Sequence, residues 1–438
     1  MIRGNRAYQI FLVATLLSFI GSTIHVVAAS WLILQLTGAA YSVPLLLLFS
    51  AVPGVLLAPI VGSVVDRFDS RRLLVGVDVV SAAAVFSIPL ISAAHLLAPW
   101  HLYVVESVLA VCGQFYGSAS RVFVRRLASD KDLLRANATT TLVYQIGIAV
   151  GALVGGLVVA ASGPQTGLVV NGASFLISAI GMMVIRRTRR QQEVAASTAA
   201  PSSPPGTWAG FARTIRLITS SSRIWQLTLL YVGLQAMHRL LSSLLAPFVS
   251  STGNGAGTQG GLQMVYSLGS IVAGTLIPTI WKRFGSVPIL ICGAIGVPAL
   301  AVAFSVARVQ TGSLLLYGLL GLAVSAWIYH LTAAQLLVPD DQQGTYFATT
   351  GSLVSLAGIA VFGASTLLLH VVTPATAYRI GAVALLVSAV PMVLALRRRS
   401  APEPTDQEPG GATSDSDPDQ EDHPGGSGSR HPVRNNAA

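Results

Sequence analysis

The sequence predicts an all-α membrane protein with twelve transmembrane helices in two six-helix, pseudo-symmetric bundles. Three observations carry that expectation. The 438-residue chain is 53% hydrophobic and 10% charged, with mean hydropathy +0.67, where an ordinary soluble domain carries about 25% charged residues. Apolar runs of about 20 residues, enough to cross a hydrocarbon core of about 30 Å, recur along the chain. Positive charge is sorted: 22 of the 27 Lys and Arg lie at the N-terminus, in alternate gaps between the runs, or directly after the last run. Short loops that keep Lys and Arg lie on the cytoplasmic side, so this sorting gives span number, parity and orientation together.

The first six spans fall at about 8–34, 42–63, 73–94, 101–122, 138–161 and 165–185. The second six fall at about 225–249, 260–281, 287–307, 311–336, 345–371 and 376–396. The inside gaps carry Arg67, Arg71 and Arg72; then Arg121, Arg125, Arg126, Lys131 and Arg135; then seven Arg between Arg186 and Arg223; then Lys282 and Arg283. Arg397, Arg398 and Arg399 follow the last span, which puts both termini in the cytoplasm. Arg308 and Arg379 are the exceptions in the other gaps, and Arg239 lies deep inside a span. The net charge of +10 therefore reports membrane topology, and a nucleic-acid partner is not expected. The first run is too long for the apolar core of a signal peptide. Cys112 and Cys292 both lie inside apolar spans, which argues against a disulfide framework.

The composition changes twice. The gap at 191–224, with "VAASTAAPSSPPGTW" just ahead of a short amphipathic stretch, reads as a cytoplasmic linker. It separates an N-terminal half, 1–190, from a C-terminal half, 225–398. Residues 399–438 read as a disordered cytoplasmic tail, and loss of that tail is expected to leave transport intact. A weak internal repeat supports the two halves. "GSVVDRFDSRR" after the second span parallels "PTIWKRFGSVP" after the eighth, and "RLASDKDLL" after the fourth parallels "LLVPDDQQG" after the tenth. Duplicated halves flanking a midplane site are a transporter architecture.

Gly62–Arg72, lying between the second and third spans, resembles the loop motif of the major facilitator superfamily. "AASWLILQLTGAAYS" at 28–42, "LLRANA" at 133–138 and "VPDDQQGT" at 338–345 resemble its drug and siderophore exporter branch, which includes macrolide-efflux and enterobactin-exporter relatives. The resemblance covers about residues 5–398. It implies the major facilitator fold, alternating access and a substrate site between the halves. Several positions depart from that branch. Where the branch often has an acidic residue in helix 1, this chain has Ser22, Thr23 and His25, and where the loop after helix 10 usually reads Gly-Arg, it has Gly344 and Thr345.

No metal-ligand spacing, nucleotide-binding loop or catalytic constellation appears. An enzyme is therefore not expected, and the energy source is expected to be a proton gradient with no cofactor. Ionisable groups within spans are costly and usually pair, face the interior or serve the transport path. The acids there are Asp78 and Glu106. Glu106, in the outward half of the fourth span, reads either as a coupling carboxylate or as a boundary residue near His101. Arg239, beside His238, is expected to face the cavity, with Glu106 or an anionic substrate group as partner. His25 and His330 can relay protons or sit neutral and hydrogen-bonded. Asp66, Arg67, Arg71, Arg72, Asp78, Arg121 and Arg125 are expected to form an inside gating cluster, with Asp78 pairing with Arg121 or Arg125. Trp31, Phe115, Tyr116, Tyr144, Tyr231, Trp327 and Tyr329 are candidate cavity residues. Gly147, Gly151 and Gly155 read as a close-packing face or as a bending seam.

The function expected is export of an amphipathic small molecule, a drug or antibiotic, by proton antiport. The partners expected are that substrate and the lipid bilayer, with the chain working as a monomer in the bacterial inner membrane. Export of a siderophore or another secreted metabolite is the alternative within transport. A non-transporting membrane sensor or scaffold is the alternative from another class.

Overall fold

The computed structural model describes residues 6–127, 133–185, 215–216, 218–219, 221–307 and 311–399. Among these there is no strand, and twelve helical rods run in chain order. The first six are α1 (Arg6–Thr37), α2 (Ser42–Arg67), α3 (Ser70–Ala93), α4 (Pro99–Leu127), α5 (Leu133–Ser162) and α6 (Pro164–Val184). The second six begin with α7 (Ser222–Ser251) and α8 (Ala256–Phe284). Next, α9 is built from Val287–Ile291, a π-helical turn at Cys292–Gly296, and Val297–Val306. Then α10 comes in two pieces, Thr311–Val324 and Trp327–Leu337, followed by α11 (Asp340–Leu368) and α12 (Pro374–Arg399). Of the linker expected at 191–224, helical residues 215–216 and 218–219 and the start of α7 are described. The tail expected at 399–438 lies outside the described residues beyond Arg399.

Nine described helices are long and apolar enough to cross a membrane, and Ser42–Leu57 and Pro374–Ser388 are shorter apolar helices. The α4 rod is long but carries Glu106, Arg121 and Arg125 on its length. Helices satisfy the backbone hydrogen bonds that lipid cannot. Their outward faces are apolar, as at Leu56, Leu90 and Leu367, each at least 70% exposed, which suits contact with acyl chains.

Local chemistry sets the rod ends. Asp69 caps α3 by accepting from the Arg72 amide at 3.0 Å. Gly163, at φ 82°, turns the chain from α5 into α6, with Pro164 at the first helical position. That left-handed conformation suits glycine. The tenth span was expected to be continuous over 311–336 but breaks at Ser325–Ala326, where the Ser325 hydroxyl donates to the Gly321 carbonyl at 2.8 Å.

The near end of the bundle is where α1 begins, and the far end is where α1 stops. Each half packs its own helices together, and the halves meet through α5 with α8, α2 with α11, and α1 and α2 with α7. The joining contacts cluster toward the far end. A Cβ on Gly156 of α5 would come 2.8 Å from Gly260 Cα of α8, so two glycines allow the backbones to touch. Trp31 Nε1 donates to Gln259 Oε1 at 2.5 Å, and Tyr41 stacks on His370 at 4.0 Å. Ala246 and Ala256 of the second half join the core of the first. At the near end the described core residues fall into separate clusters. One draws on α1–α6, from Tyr8 to Ile185, and another gathers Ile224, Ala334, Val338 and Tyr346.

Candidate functional site

A cavity of about 840 Å³ lies among α1–α6, a volume suited to a drug-sized ligand. Ser18, Ser22, His25 and Ser30 from α1 line it, with Asp78 and Ser81 from α3. From α4 come Glu106, Leu109, Gly113, Tyr116, Gly117, Ser120, Arg121 and Arg125, and from α5 and α6 come Thr140, Thr141, Tyr144, Asn171 and Phe175. The α1 and α4 residues recur at three- and four-residue spacings, so each helix offers one stripe. The wall is amphipathic. Phe19 and Tyr144 meet at 4.3 Å between ring centroids, and serine and threonine hydroxyls stand between the apolar patches.

The most polar contact in this wall joins α1 to α4. His25 Nε2 lies 2.8 Å from Glu106 Oε1, with side chains 4% and 12% exposed. The contact is a hydrogen bond that becomes an ion pair when the ring is protonated. His25 Nδ1 is buried without a partner, so the imidazole has one nitrogen tied to the carboxylate and one unused. Glu106 thus pairs with His25 rather than with Arg239. His101 has a separate role at the start of α4, where its Nδ1 accepts from the Ala98 amide at 3.0 Å.

The other expected residues fall in several places. Tyr116 lies 3.3 Å from the Thr15 hydroxyl, and Tyr116 and Tyr144 line the cavity, whereas Phe115 packs against the near-end core. Trp31 bridges the halves. Tyr231 stacks on His330 at 4.2 Å, whose Nδ1 lies 3.1 Å from the Leu227 carbonyl. Trp327 packs on the second-half core, and Tyr329 meets Trp281 edge-on at 5.2 Å. His238 Nδ1 lies 2.7 Å from the Tyr266 hydroxyl, and the Arg239 guanidinium sits 6.0 Å from the Phe362 ring centre. The expected second-half residues therefore do not line this cavity.

The expected pairing of Asp78 with Arg121 or Arg125 is not formed. Asp78 is 1% exposed, and the Arg121 Nε donates to the Gly117 carbonyl on its own helix at 3.0 Å. Arg71 donates to the Met182 and Met183 carbonyls at 2.8 and 2.5 Å, holding the end of α6 within the same half. Arg67 and Arg72 are exposed, and the Asp66 side chain lies outside the described residues. Gly147, Gly151 and Gly155 pack against Phe19, Ile20, Thr23 and Ile24 of α1, with added Cβ atoms meeting neighbours at 2.7–2.9 Å.

Twelve rods in two joined halves, with a polar stripe sunk in an apolar bundle, define a multi-pass membrane protein. The chain belongs to the Major Facilitator Superfamily, whose pattern matches residues 11–362. It is 24% identical over 243 residues to the multidrug efflux pump Tap of Mycobacterium bovis, a match covering 54% of this chain and 57% of that protein. The chain thus aligns with little more than half the length of that relative. Among solved structures it resembles the nucleoside transporter NupG, with TM-score 0.69, 13% identity, and coverage of 90% of this chain and 99% of the other. A bacterial homologue of the iron transporter ferroportin aligns with TM-score 0.66 and 15% identity, over 89% and 98% of the two chains. The relatives and structural neighbours it matches are named as transporters.

Proposed function

We propose that this transporter exports an amphipathic small molecule, a drug or antibiotic, across the cytoplasmic membrane in exchange for protons, and so confers antibiotic resistance. The observation that carries the proposal is the His25–Glu106 contact in the cavity wall. A carboxylate and an imidazole at membrane depth form a group that can take up and release a proton. Protonation of Glu106 or of His25 alters their mutual attraction, and with it the α1–α4 contact and the polarity that the substrate meets. The mixed wall suits a substrate with both an apolar body and polar groups. The likeness to a protein named as a multidrug efflux pump supports the direction of transport.

The basic helix ends, including Arg67, Arg71, Arg72, Arg121, Arg125, Lys282 and Arg283, gather at the near end, which we place in the cytoplasm with both termini. The contacts between halves at the far end then correspond to an outward-closed state. Alternating access would proceed by rocking of the two halves, with one chain as the working unit and the proton gradient as the energy source.

The test is drug export from vesicles holding wild type or Glu106→Gln. The substitution is expected to lower export driven by a pH gradient at least about tenfold, equivalent to ~1.4 kcal/mol, while the protein still inserts. Unchanged export with unchanged pH dependence would remove Glu106 from the coupling step.

A further inference from the structure

We propose that Asp78 is a monovalent-cation site in the first half, taking a proton or a sodium ion, separate from the His25–Glu106 pair. Asp78 lies on α3 and lines the same cavity. It is 1% exposed, and neither carboxylate oxygen completes a hydrogen bond of ordinary geometry. The Ser178 hydroxyl of α6 faces it, is itself fully buried, and is likewise left without such a bond. From α4 the neighbouring groups are Cys112 and the Tyr116 hydroxyl. From α1, Thr15 reaches Tyr116 at 3.3 Å. Every one of these groups is neutral in its ordinary form, and neither cavity arginine pairs with Asp78.

A bare carboxylate in such a place is costly, because an ion buried without a partner loses several kcal/mol of hydration. A proton removes the charge, while a sodium ion offsets it and can take further oxygen ligands from the surrounding hydroxyls. A carboxylate held only for structure would be expected to use its oxygens on amides or a basic side chain, whereas the group that Asp78 faces is the neutral Ser178 hydroxyl. Cys112 and Tyr116 follow Glu106 by six and ten residues, so the two carboxyls differ in depth by about 9–15 Å along α4. That separation makes Asp78 a second cation step in the same cavity. The assignment does not require Glu106 to be the coupling group.

The experiment uses the full-length purified protein at neutral pH, with infrared spectroscopy for a protonated carboxyl stretch and radiolabelled sodium for direct binding. Either a carboxyl band or bound sodium is expected in the wild type. It should persist in Glu106→Gln, disappear in Asp78→Asn, and, for the band, shift in Asp78→Glu. Absence of both signals in the wild type overturns the proposal, as does loss of the signal in Glu106→Gln. If Asp78→Asn does not fold, the wild-type, Glu106→Gln and Asp78→Glu measurements still decide the matter. Loss of proton-driven export in Glu106→Gln with an intact Asp78 signal would separate the two sites.

Discussion

At the residue scale, a 2.8 Å contact ties Glu106 on α4 to His25 on α1, and the second ring nitrogen of that histidine is left bare. Truncating His25 to Ala should leave Glu106 without its partner and shift the pH dependence of export, while replacing His101 should not. The check is a pH profile of vesicle export for both variants. Identical shifts in the two would place the functional histidine elsewhere. Glu106 was recognisable in the sequence because acids are so rare in the spans, and His25 because it stands where related exporters carry an acid. Their contact was not recognisable. The two residues are 81 positions apart, and a membrane helix is apolar on its lipid side as well as its core side, so the hydrophobic pattern does not reveal which face turns inward. The same limit hid the hydroxyl stripe of Ser18, Ser22, Ser81 and Ser120. It also assigned to the cavity Trp31, which bridges the halves, and Tyr231, which stacks on His330.

At the scale of elements, the α5–α8 crossing is the contact most sensitive to a single side chain. Gly156 and Gly260 let the backbones meet, and Trp31 with Gln259 adds a hydrogen bond beside them. Gly156→Val should overpack this crossing by ~1–3 kcal/mol, enough to move a two-state equilibrium about 5- to 150-fold. We expect the far end to open, read as increased labelling of a cysteine placed at Gln259 by a membrane-impermeant reagent added outside. Equal labelling with and without Gly156→Val would show that the crossing does not set the closed state. The twelve spans were recognisable as apolar runs, and every expected span overlaps an observed rod. The break at Ser325–Ala326 and the π-helical turn at Cys292–Gly296 were not, because both interrupt runs that remain uniformly apolar.

At the scale of the whole molecule, charge sorting supports the proposed placement of the near end in the cytoplasm, and among the described residues the contacts between the halves gather toward the opposite end. Orientation can be checked with single cysteines at Asn254 and Ser286 in a background with Cys112 and Cys292 replaced. Asn254→Cys should react with an impermeant reagent only from outside, and Ser286→Cys only from inside. The reverse pattern would invert the proposed direction of closure. The two-half architecture was foreshadowed by the repeated Arg67-Phe68 and Arg283-Phe284 turns. The location of a drug-sized cavity within the first half depends on how six helices pack, which no local pattern encodes.

The central claim is exchange of an amphipathic substrate for protons through the His25–Glu106 pair. Its most direct test is proton flux in proteoliposomes on addition of members of a lipophilic drug panel. For at least one drug, the wild type should move protons opposite to the drug, and Glu106→Gln should lose that proton movement. Drug movement without proton flux in the wild type, or undiminished coupling in Glu106→Gln, would contradict the account.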